Sequence, residues 1–144
     1  MIDIKLKNKW EQPSKSLPII FIGGGGIIRN AHVPAYNKLN LNIFGVYDLN
    51  YEIANQLAKD FNIPKVYDKI EDALDNTEVV YDIAVPADQL LSIVKKLPLN
   101  SYALLQKPMG SNVQEAEEIL KTCRERNITA ALNFQLRFSP MMLC

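Results

Sequence analysis

The chain has 144 residues, 48% of them hydrophobic and 22% charged, enough for one domain with a substantial core but short for two. Sixteen basic and sixteen acidic side chains cancel, and no Lys/Arg cluster interleaves with aromatics, which argues against a nucleic-acid partner. Cys123 and Cys144 stand far apart and His32 is the sole histidine, which argues against a zinc site or a disulfide framework and limits metal or triad chemistry. Lys5, Lys7 and Lys9 precede an apolar run of about six residues, shorter than a secretory core, and no stretch approaches the roughly 20 apolar residues of a membrane span. The expectation is a cytoplasmic protein without a membrane partner.

In chain order, Ile2, Ile4 and Leu6 alternate with Asp3, Lys5 and Lys7, so residues 1–16 read as an edge strand or arm ending in a linker. Leu17 to Ile22 is a buried strand, followed by Gly23, Gly24, Gly25 and Gly26 and then a helix-compatible stretch from Ile27 to Leu39. A second strand over 42–47 ends at Asp48; a helix over 51–61 places Ile53, Ala54, Leu57, Ala58 and Phe61 on one face. A short strand at 65–67 and a short helix at 70–74 lead to the buried strand Val79 to Val85, stopped by Pro86, with its helix from Gln89 to Leu97. Ser101 to Leu105 is the fifth strand. Ser111 and Gln114 have the spacing of a capping box for a helix running to about Asn127, and Thr129 to Leu132 is the last strand. Apolar strands each followed by a helix predict a doubly wound parallel sheet covered on both faces, an α/β/α Rossmann-type domain over 17–140.

Only glycine makes a sharp strand-to-helix turn while letting a phosphate approach the bare backbone. In Gly23-Gly24-Gly25-Gly26-Ile27-Ile28, Gly23 would make the turn and Gly25 would admit a pyrophosphate. Ile28 falls where a small residue packs helix on strand, so either the packing is wider or Gly24 and Gly26 are the pair that counts. The alternative is a glycine loop without function. Asp48 can accept both ribose hydroxyls of an adenosine and repel a 2′-phosphate, which favours NAD over NADP; alternatively it caps a helix or forms a turn, a role also open to Asn50. Gln106-Lys107-Pro108 lies at the carboxyl end of the fifth strand, where open α/β sheets bind ligands. Lys107 there can hydrogen-bond a substrate oxygen and stabilise an alkoxide, with a cis Pro108 directing it; the alternative is a solvated turn lysine.

The ordered set Gly23 to Gly26, Ala31-His32-Val33-Pro34-Ala35-Tyr36, Tyr47-Asp48, Val85-Pro86, Gln106-Lys107-Pro108 and Asn133 to Pro140 resembles the amino-terminal half of the glucose-fructose oxidoreductase, inositol dehydrogenase and rhizopine-catabolism family (Gfo/Idh/MocA). The resemblance implies an NAD(P)-binding half and a second α+β half carrying much of the substrate site and the oligomer contact, which leaves room for a homo-oligomer. It implies hydride transfer between nicotinamide and a sugar- or cyclitol-like alcohol or carbonyl. Lys107 matches the lysine of the family's Glu-Lys-Pro motif, assigned to catalysis; Gly23 to Gly26, Ile27, Ile28, Asp48, Val85, Pro86, Gln106 and Pro108 are the implied cofactor contacts. Gln106 departs from the glutamate and Ile28 from a usual Gly or Ala. His32 matches a family histidine that packs or caps near the cofactor, and Asp88 reads as a helix cap.

The chain stops where the family's second half and its catalytic histidine would follow, and Met141, Met142 and Leu143 would leave an apolar end, so a truncated domain, inactive alone, is expected. The alternative is a complete, non-catalytic nucleotide-binding module. A methyltransferase ranks third, because the first strand lacks an acid before the glycines and Lys107-Pro108 has no role there.

Overall fold

A computed structural model describes residues 14–139. Most of the expected arm, the apolar end at 141–143 and Cys144 lie outside these residues. Six strands, β1 (Ile19–Ile22), β2 (Ile43–Tyr47), β3 (Lys65–Tyr67), β4 (Val80–Ile83), β5 (Tyr102–Gln106) and β6 (Thr129–Asn133), form one parallel sheet in the order β3-β2-β1-β4-β5-β6. Five helices connect them: α1 (Val33–Lys38), α2 (Tyr51–Phe61), α3 (Ile70–Leu74), α4 (Ala87–Lys96) and α5 (Val113–Glu125). No helix among the described residues is long and apolar enough to cross a membrane.

The run Ile19-Ile20-Phe21-Ile22 is apolar throughout because both faces of β1 are covered. Successive side chains point to opposite faces. Ile19 and Phe21 join Ile28, Val33, Val46 and Leu57 on one side, whereas Ile20 and Ile22 join Tyr81, Ile83, Leu90, Leu105 and Ile119 on the other. Burying each such side chain is worth roughly 1.5–3 kcal/mol. The result is the three-layer α/β/α arrangement expected. In β6, by contrast, Thr129, Ala130 and Ala131 are exposed, as befits an edge.

Helix boundaries correct several expectations. The first helical run opens with a wide π turn, Ile28–His32, closed by a bond from the Val33 N–H to the Ile28 carbonyl, and both Ile28 and His32 are buried by it. Ile28 therefore occupies core volume. The capping box of α5 lies one residue later than expected: Asn112 Oδ1 accepts the Glu115 N–H at 2.9 Å and Glu115 Oε2 accepts the Ser111 N–H at 2.7 Å. Asn serves this position as well as Ser does, so the Ser111/Gln114 spacing was coincidental. Asp88 does not cap α4; it sits in the first turn, after Pro86 at the cap position, where its charge still faces the positive end of the helix dipole. Asn40, Asn62, Asn100 and Asn127 all take positive φ, the left-handed conformation that asparagine tolerates best after glycine.

Candidate functional site

The strand order reverses direction between β1 and β4, and the carboxyl ends of β1, β2, β4 and β5 meet there in a cleft. Gly23 begins the turn with φ +97°, and a Cβ on it would lie 2.4 Å from the Ala84 carbonyl oxygen. No side chain fits, so the glycine is dictated by close approach to the end of β4. Gly24 is also buried, with Ile53 and Leu57 of α2 at 3.4 and 3.5 Å from its missing Cβ. Gly25 and Gly26 form the exposed tip; a Cβ on Gly25 would meet nothing within 4 Å.

Asp48 braces this turn. Its Oδ2 accepts the Gly24 N–H at 2.7 Å and its Oδ1 accepts the Asn50 N–H at 2.8 Å. Asn50, not Asp48, caps α2, its Oδ1 accepting the Glu52 N–H at 3.1 Å. Each Asp48 oxygen thus carries one backbone donor and keeps acceptor capacity for a hydroxyl. A cavity of about 480 Å³ opens beside it, lined among others by Gly23, Asp48, Val85, Pro86 and Gln89. A smaller one of about 210 Å³ is lined by Ile27, Ala84, Val85, Gln106, Lys107 and Gln135. Ala84 and Val85 border both, so the cavity beside Asp48 and the one beside Lys107 adjoin at the end of β4.

Lys107 is exposed and the Lys107–Pro108 peptide is cis. No carboxylate pairs with this lysine among the described residues. Gln106, which departs from the family's glutamate, makes its side-chain contact with His32: it is 8% exposed and its Nε2 lies 3.0 Å from His32 Nε2. β5 ends at Gln106 and Lys107 lies beyond it on the cis Lys107–Pro108 turn, and both residues line the smaller cavity. Asn133, paired with Gln106 across β5 and β6, brings its Nδ2 to 3.2 Å from the same His32 nitrogen.

On the other edge of the ring, His32 Nδ1 lies 2.5 Å from Asp82 Oδ2, and the Tyr36 hydroxyl donates to that oxygen at 2.7 Å. Burial first, and the Asp82 carboxylate second, push the Tyr36 phenol well above its ordinary range. His32 therefore caps nothing; its side chain makes no bond to a helix end. Asp82, Tyr36 and Asn133 were absent from the residues expected at the site. Asp82 did carry a signal: a carboxylate inside the otherwise apolar run Val79 to Val85 needs a buried partner. Cys123 is buried, which raises its thiol pKa, and no group of three His, Cys, Asp or Glu among the described residues could hold a metal ion.

Residues 17–134 match the model of an oxidoreductase family with an NAD-binding Rossmann fold. Glucose-6-phosphate 3-dehydrogenase of Bacillus subtilis is 27% identical over 118 residues, 81% of this chain and 33% of that protein. Trans-1,2-dihydrobenzene-1,2-diol dehydrogenase of Mus musculus is 33% identical over 97 residues, 66% of this chain and 28% of that protein. Among solved structures, an oxidoreductase of Thermotoga maritima superposes with a TM-score of 0.78 at 21% identity, covering 85% of this chain and 39% of the other, a likeness of fold. A Clostridium difficile dehydrogenase gives 0.75 at 25% identity, over 88% and 42%. The chain spans about a third of the length of the curated relatives it matches.

Proposed function

The chain belongs to the Gfo/Idh/MocA oxidoreductases as their NAD-binding Rossmann domain, and on that footing we propose that it holds NAD across the cavities beside Asp48 and Lys107 for hydride exchange with a sugar- or cyclitol-like alcohol or carbonyl. What supports this reading is that Asp48 and the exposed Lys107 line two adjoining cavities and that the space over Gly25 is open. The open space over Gly25 fits a pyrophosphate, since a side chain there would occupy the approach. When bound, the nicotinamide supplies the hydride acceptor or donor.

The residues divide the work. Asp48 accepts the ribose hydroxyls with the lone pairs its two backbone donors leave free, and its charge disfavours a 2′-phosphate, so NAD is preferred to NADP. The backbone of Gly25, Gly26 and Ile27 faces the phosphates, Val85 and Pro86 wall the cavity beside Asp48, and the buried Ile28 anchors the turn behind it. Lys107 donates a hydrogen bond to the substrate oxygen and stabilises negative charge developing there.

Titration calorimetry with NAD and NADP on this chain and on Asp48→Ala tests the reading. Binding of NAD, weaker binding of NADP and a loss of that preference in Asp48→Ala are expected. Absence of heat with millimolar NAD, or affinities that Asp48→Ala leaves unchanged, would overturn it.

A further inference from the structure

The polar cluster around His32 bears on the cleft through Gln106. Its members come from several elements: His32 from the π turn, Tyr36 from α1, Asp82 from β4, and Gln106 with Asn133 from β5 and β6. Asp82 is 0% exposed and His32 7%, so every proton in the cluster must find a partner inside it. A carboxylate only accepts, which places a proton on His32 Nδ1. Two amide NH2 groups, which only donate, converge on Nε2, so that nitrogen offers a lone pair. The ring is thereby the neutral Nδ1–H tautomer.

The placement of the Gln106 amide nitrogen 3.0 Å from Nε2 fixes the direction of the amide and is the arrangement this tautomer satisfies. The amide nitrogen is committed to His32, leaving the amide oxygen as the polar atom on the opposite side. Gln106 also lines the 210 Å³ pocket beside Lys107. The enclosed side-chain atoms left without a partner are Asp82 Oδ1, Ser101 Oγ and Arg126 Nε; Gln106 Oε1 is not among them, although it takes no hydrogen bond from the described residues. Its free side is therefore the pocket wall.

We propose that the Asp82–His32 pair orients Gln106 so that its Oε1 accepts an N–H of the nicotinamide carboxamide, making Gln106 a cofactor-reading residue and Asp82 and His32 its positioning residues. This rests on the cofactor reading above. A neutral acceptor is well suited here, since it hydrogen-bonds the carboxamide NH2 without adding a second buried negative charge to the one already on Asp82.

The test has two arms. His32 is the only histidine in the chain, so a long-range proton–nitrogen correlation spectrum of the imidazole reads one ring. A protonated Nδ1 and a bare Nε2 at neutral pH are expected. A protonated Nε2, alone or in an imidazolium, would overturn the proposal, because the facing amides would then present their oxygens inward.

The second arm compares the affinities of NAD and ADP-ribose, which share everything except the nicotinamide. The wild-type chain should prefer NAD by about three- to tenfold, the worth of one hydrogen bond. Gln106→Met should abolish the preference, NAD and ADP-ribose then binding with equal affinity. Equal affinities in the wild type, or a preference that survives in Gln106→Met, would refute the carboxamide contact while leaving the cofactor reading intact. Failure of both ligands to bind would remove the cofactor reading and the contact together; the imidazole spectrum would still report the amide direction.

Discussion

At the Asp48 end of the cleft, the side-chain contacts of Asp48 and Asn50 span at most 24 residues of chain, and each ends on a backbone N–H. At the Lys107 end, His32 reaches partners 50, 74 and 101 residues further on, and every contact joins two side chains. The first end is a loop braced by one carboxylate and tolerant of water. The second is a buried network whose members have no alternative partner, so losing one strands the others. Stability should therefore be concentrated at the Lys107 end and ligand affinity at the Asp48 end.

Asp82→Ala is the strongest way to break that division. It removes the acceptor of both His32 and Tyr36 in a dry site and should cost about 4 kcal/mol in urea unfolding; a loss below about 1 kcal/mol would show the network to be dispensable. Gly23→Ala comes next, at roughly 3 kcal/mol, because its Cβ meets the Ala84 carbonyl at a φ that side chains avoid. The contrasting Gly25→Ala has open space and should stay within about 0.5 kcal/mol of wild type. Weakened NAD binding in Gly25→Ala, measured by calorimetry, would mark the pyrophosphate contact.

Asp48→Ala should cost only about 1 kcal/mol of stability, as for exchange of backbone partners with water, yet lower NAD affinity by about tenfold or more. The reverse pattern would merge the two ends into one. The smallest effect concerns the surface pair of Arg29 and Asp60, 2.6 Å apart. Hydrogen bonds from Arg29 and then Gln56 hold the Asp60 carboxyl below its ordinary pKa. A depressed carboxylate stabilises the fold above its unfolded pKa and stops doing so as pH falls through the folded one. Arg29→Ala should thus lower the thermal midpoint slightly at neutral pH and leave it unchanged in acid.

Legibility from sequence follows the same division. Strand-glycine-helix order, an acid at the end of the second strand and a lysine at the end of the fifth are features of neighbouring residues, and the expected sheet followed from apolar runs alone. Errors arose where geometry selects between equivalent residues. Ser111 and Asn112 both cap well, and only the path of the chain into α5 chose Asn112. Gln106 stood out in the sequence only as a departure from the family's glutamate, because its contact with His32 joins residues 74 apart in the chain.

Composition and order were enough to determine the α/β layers and the glycine turn at the end of β1, because these depend on periodicity and backbone freedom, which are local, while the family came from the likeness of an ordered set of motifs. Only the tertiary structure decided what Ile28, His32, Asp82 and Gln106 do. Their roles depend on which side chains a folded sheet brings within hydrogen-bonding distance across about a hundred residues, and on the absence of water there to replace a missing partner.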